Sequence, residues 1–118
     1  MSFLRKPKLK GQVTRSHLRS KKQEREIAKR IGGRVTPASG ASTLKGDVRL
    51  KRVVRIEAKT TQNRSFSVTL DMVRKIEEAA LTHGELPIIV VEFNDGNGRK
   101  LSEVAVCPIY VLQEIAGV

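Results

Sequence analysis

With 118 residues the chain is long enough for one domain with its own apolar core, and it needs neither disulfides nor a structural metal to fold. Its single cysteine, Cys107, excludes an internal disulfide, fits a reducing compartment and reads as a small buried hydrophobe in VAVC. No run approaches the roughly 20 apolar residues of a membrane span, and the basic N-terminus lacks an apolar signal region, so the expectation is a cytoplasmic protein without a membrane partner.

The formal net charge is +11, and it is unevenly spread. Arg5, Lys6, Lys8, Lys10, Arg15, Arg19, Lys21 and Lys22 fall in the first 22 residues without a single acid. Such a segment suits a polyanion, because each neutralised phosphate releases counterions. These eight cations are the expected DNA contacts, with residues 1–19 a flexible basic arm and 20–118 the folded domain. Aromatic residues make up only 3% of the chain, so base stacking on an aromatic platform is not the expected mode.

In chain order, KKQEREIAKRIGG carries Ile27, Ala28 and Ile31 at helical spacing and ends at Gly32-Gly33. Arg34 to Thr36 suits a short strand, and residues 37–46 form a loop of small residues and turn formers. GDVRL and RVVRIEAKT are two alternating runs joined by a tight basic turn. Ser67 or Thr69 can cap a second helix that places Val73, Ile76 and Ala80 on one line and stops at Gly84. IIVVEF is a continuous apolar strand, of the kind covered on both faces. A turn at 95–98, the strand LSEVAVC and a closing helix IYVLQEIAG complete the order α-β-β-β-α-β-β-α. The expected fold is α/β, a central mixed sheet flanked by helices.

If the two central strands form a hairpin turning at Arg52, Asp47 falls opposite Glu57, and opposed residues share a face. In this register Val48, Leu50, Val54, Ile56 and Ala58 lie on one face, and Asp47, Arg49, Arg55, Glu57 and Lys59 on the other. A slip of one residue would mix the two sets. Opposed carboxylates repel and raise a pKa unless a cation compensates. Oxygen ligands of this kind favour Mg2+, with Mn2+ able to substitute. Lys59, on the same side, suits activation of a water or stabilisation of phosphate charge. The competing reading is a solvated face of weakly paired charges.

A third acid comes from the first helix. Glu24 precedes Ile27, Ala28 and Ile31 at helical spacing and lies on the inward stripe, whereas Glu26 aligns with Lys29 and Arg30 on the outer face. Ser39 and Ser42, in the loop before Asp47, offer hydroxyls to a phosphate. Lys75, on the second helix, is a further candidate DNA contact. His17 and His83 lack partners at metal-ligand spacing, and no Walker or dinucleotide-binding glycine pattern is present.

The segments QEREIAKRI, SGAS, GDV and IEAK, with the later helix and PIIVVEF, resemble the archaeal-type Holliday junction resolvases of the PD-(D/E)xK nuclease superfamily, including short phage-encoded members. The resemblance covers about residues 20–95, with GD standing for PD and a longer basic arm than the family pattern. It implies a restriction-endonuclease-like fold and a metal-dependent endonuclease that makes paired symmetric nicks in four-way DNA junctions. It also implies a homodimer with two sites. Position by position it points to Glu24, a loop serine (Ser39 or Ser42), Asp47, Glu57 and Lys59. The assignment adopted gives Ser39 a catalytic role and Ser42 a DNA contact. Glu24, Asp47, Glu57 and the carbonyl of Ala58 would hold the metal. Other readings left open are a restriction-like or repair nuclease of the same superfamily, a non-catalytic nucleic-acid-binding module, and an RNA- or ribosome-associated basic protein.

Overall fold

A computed structural model describes residues 15–36 and 47–118. The elements follow the expected order: α1 (Arg15–Ile31), β1 (Arg34–Val35), β2 (Val48–Leu50), β3 (Val54–Thr61), α2 (Leu70–Leu81), β4 (Leu86–Asn94), β5 (Lys100–Val106) and α3 (Ile109–Ala116). The strands form one sheet in sequence order, β1-β2-β3-β4-β5. Only β3 and β4 run parallel; the other neighbours are antiparallel. The parallel pair is joined through α2, as a parallel connection requires a crossover. The protein is therefore an α/β fold with a mixed sheet.

One helix covers each face. On the first, Ile27 and Ala28 of α1 pack against Val48, Ile56, Ala58 and Val90. On the second, Ile76 of α2 packs against Ile89 and Val91, with Phe66, Met72 and Phe93 around them. Six of the nine β4 residues are buried, because this strand lies between both helices. Truncating a fully buried aliphatic side chain such as Ile76 to alanine would cost about 2–5 kcal/mol.

Local chemistry sets the ends of the elements. Thr69 caps α2, its hydroxyl accepting from the Met72 N–H at 3.2 Å. Gly84, in the left-handed region at φ 70°, turns the chain out of that helix. Gly33 has a different reason to be glycine. A Cβ there would lie 2.6 Å from the Arg49 carbonyl oxygen, so α1 turns into β1 only with no side chain at this position.

The β2–β3 hairpin pairs Val48 with Ile56, Arg49 with Arg55 and Leu50 with Val54, the register that turns at Arg52. Arg52 occupies the left-handed region at φ 64°, uncommon for a residue with a side chain. Its N–H donates to Glu85 Oε2 at 3.0 Å. The same carboxylate accepts from Arg49 Nε at 2.6 Å and Arg55 Nε at 2.8 Å. Glu85, at the start of β4, thus clasps the hairpin tip. Arg49 and Arg55 do share the charged face with Glu57, but both are paired with Glu85, and the Arg55 side chain is 0% exposed.

Two boundaries differ from expectation. The first helix begins at Arg15 rather than near Ser20, so part of the expected arm belongs to α1. Arg19, expected among the free cations, donates through Nε to the buried Glu92 Oε2 at 2.6 Å and ties α1 to β4. A charge inside a doubly covered strand requires such a partner. Cys107 is half-buried rather than buried.

Candidate functional site

Asp47 immediately precedes β2. Its N–H donates to the Ile56 carbonyl at 2.7 Å, and its carboxylate accepts from the Ala58 N–H at 2.8 Å. Both bonds hold it against β3. With the register symmetric about Arg52, Asp47 and Glu57 come into side-chain contact. Lys59 follows on the same face, with Nζ 3.4 Å from Glu57 Oε2. The three residues read from strand parity therefore form one cluster.

The electrostatics follow from this placement. Burial raises the Glu57 pKa first, and the charge and contact of Asp47 raise it further; Lys59 opposes both without cancelling them. Glu24, half-buried on α1, is also raised, by burial and then by Asp47, with a smaller contribution from Glu57; Lys21 and Arg25 work against it. Glu24 thus feels both strand acids from a different element.

Three carboxylates whose repulsion is incompletely offset by one lysine fit a divalent cation, which would relieve the charge while accepting hard oxygen donors. Asp47 and Glu57 would be its direct donors, and Glu24 a third. Among the described residues no three acidic, imidazole or thiol groups converge as a ready-made cation site. Ala58 is buried, with its N–H committed to Asp47.

The remaining candidates fall as follows. Arg5, Lys6, Lys8, Lys10, Ser39 and Ser42 lie outside the described residues, and Arg15 opens α1. Lys22 is exposed and Lys21 half-buried on α1; Lys75 is exposed on α2. Glu26, expected on the outer face, is half-buried, and its charge acts on Arg19.

Three residues that support the cluster were not singled out from the sequence. Gln23 is fully buried, and its Nε2 donates to the Lys59 carbonyl at 2.8 Å, pinning the strand that carries the lysine. Glu85 holds the hairpin on which Asp47 and Glu57 face each other. Glu92 anchors the first turns of α1 through Arg19. The two glutamates were detectable in principle, since each lies in or beside a strand too apolar to leave a charge unpaired. Gln23 carried the weaker signal of a polar residue one position before the inward Glu24.

No helix among the described residues is long and apolar enough to cross a membrane. No family model matches the chain, and no curated protein matches it at a significant level.

Proposed function

We propose that the protein is a metal-dependent, structure-selective DNA endonuclease with a restriction-endonuclease-like fold, acting as a Holliday junction resolvase. The observation that carries the reading is the contact of Asp47 with Glu57 and the approach of Lys59 to the latter, on one face of a β-hairpin. Asp47, Glu57 and Glu24 would hold Mg2+ or Mn2+, with the Ala58 carbonyl completing the set. Bound there, the metal would supply Lewis-acid activation of a phosphodiester and a more acidic water. Lys59 would orient the attacking water or stabilise phosphate charge, being 39% exposed and tethered at the edge of the cluster. Gln23 keeps the Lys59 backbone in place, and Asp47 keeps its orientation through Ala58.

Affinity would come from cations that contact phosphates without reading bases. Lys21 and Lys22 of α1, together with the basic residues of the N-terminal sequence, would serve this purpose.

The resolvase reading includes a homodimer. The edge strand β5 and helix α3 expose Leu101, Val104, Ile109, Leu112 and Ile115. An unpaired apolar edge of this kind suits an isologous interface, which matches the two-fold symmetry of a four-way junction.

The test is cleavage of four-way junction, flap, nicked and linear DNA at equal concentration with Mg2+. Preferential paired nicking of the junction supports the resolvase; preference for linear duplex makes the protein a different nuclease of the same chemistry. A non-catalytic nucleic-acid-binding module is the second reading, since the basic N-terminal sequence by itself suits a polyanion. It requires binding without cleavage under every divalent condition.

A further inference from the structure

Beyond the acidic cluster, the carboxyl ends of the parallel strands β3 and β4 border an open cavity of about 550 Å3. Arg19 and Lys22 of α1 line one side, and Thr60, Thr61, Gln62 and Asn63 continue from β3. Crevices outside strand carboxyl ends are where open α/β sheets accept ligands.

The lining is rich in hydrogen-bond donors. Arg19 uses its Nε for Glu92, and its other guanidinium N–H groups make no hydrogen bond among the described residues. Lys22 is exposed, and the hydroxyl and amide side chains add neutral donors. No carboxylate lines the cavity, and the buried Glu92 is paired with Arg19. No aromatic ring lines it either, so a stacked base is not the natural occupant. An anionic, hydrogen-bonding ligand is.

The position narrows that ligand. Thr61 lies four residues beyond Glu57 on the same strand and face, about 13 Å at the usual strand rise. Moreover, the Gln23 bond to the Lys59 carbonyl joins the α1 wall of the cavity to the strand bearing Lys59, so the two places keep a fixed separation.

We propose that this cavity is a subsite for the sugar–phosphate backbone of a DNA strand, about 13 Å along β3 from the bond held at Asp47, Glu57 and Lys59. The stated separation rests on the nuclease reading; the chemistry of the cavity does not.

The test uses the full chain in EDTA, titrated with a short single-stranded DNA and, separately, with inorganic phosphate, while backbone amide NMR shifts are followed. The amides of Gln62, Asn63 and Gly96 are expected to shift with DNA at far lower concentration than with phosphate. Lys22→Ala and Asn63→Asp should each weaken DNA binding roughly tenfold. Arg74→Ala, an equal charge change on the exposed side of α2, should weaken it by less than about twofold. Equal weakening by all three variants, an equal response to phosphate, or shifts confined to other regions would overturn the proposal. Mg2+-dependent cleavage is measured in parallel. Cleavage without cavity shifts refutes the subsite and leaves the nuclease reading standing. Cavity shifts with the predicted variant pattern but without cleavage support the subsite and refute the nuclease reading.

Discussion

Asp47 accepts a hydrogen bond from the backbone N–H of Ala58 at 2.8 Å, and this bond turns its carboxylate toward the next side chain on β3, that of Glu57. The contact is paid for in electrostatic repulsion and held by the hairpin. Asp47→Asn retains an acceptor for Ala58 while removing the charge. The Glu57 and Glu24 pKa values should then both fall relative to the parent. Lys59→Met should move Glu57 further up, because the one cation opposing the shift is gone. Carboxyl-carbon NMR titration reads both changes; an unmoved Glu57 in Asp47→Asn would show that the two side chains do not interact.

The register of this hairpin was legible in the sequence because its two faces differ sharply in polarity. Val48, Ile56 and Ala58 are buried on the α1 side, as parity required. Helix phase likewise brought Glu24 within electrostatic range of Asp47 and Glu57. What parity could not distinguish was a charge facing water from a charge facing a buried partner. Arg49 and Arg55 alternate correctly with the apolar set, yet their acceptor, Glu85, lies thirty residues and a crossover away from Arg55. Such pairs depend on tertiary placement, which periodicity does not carry. The start of α1 was missed for a related reason: Arg15 to Ser20 has little apolar periodicity of its own, and Arg19 is anchored by a distant strand.

Glu85→Gln should destabilise the protein by about 3–5 kcal/mol, because it breaks a buried ion pair with Arg55, whose side chain is 0% exposed. Urea unfolding at neutral pH reads the loss. The parent should also lose stability in acid. Burial alone would raise the Glu85 pKa, but the Arg52 N–H and the Arg49 and Arg55 guanidinium groups outweigh it and the net shift is downward. A carboxylate with a lowered folded pKa contributes its full stability above the unfolded value near 4.3 and loses it as pH falls through the folded value. The Glu85→Gln variant should lack that part of the acid dependence.

Arg52→Gly should be neutral or stabilising by up to about 1 kcal/mol, since glycine takes the left-handed conformation at the hairpin tip without steric cost. Gly33→Ala acts in the opposite direction. Its Cβ would collide with the backbone of β2, and the cost should be about 1–3 kcal/mol. Thermal unfolding of the pair gives the sign of each; a stabilising Gly33→Ala would contradict the close approach of the α1–β1 turn to Arg49.

Leu112→Arg places a charge on the exposed apolar side of α3, where Leu112 is 58% exposed. In a homodimer using this surface it should shift sedimentation toward monomer while leaving the unfolding midpoint of the monomer unchanged. A parent that sediments as a monomer at high concentration would remove the dimer from the account.

The most direct measurement is a Mg2+ titration of cleavage on a synthetic four-way junction, with products mapped to the nucleotide, for the parent, Asp47→Asn, Glu57→Gln and Lys59→Met. The expected products are Mg2+-dependent nicks placed symmetrically in two opposed strands. Rates should fall by at least about 100-fold in each variant, with junction binding in EDTA retained. Binding with no cleavage by the parent at any Mg2+ or Mn2+ concentration, or full activity in Asp47→Asn and Glu57→Gln, would contradict the nuclease reading.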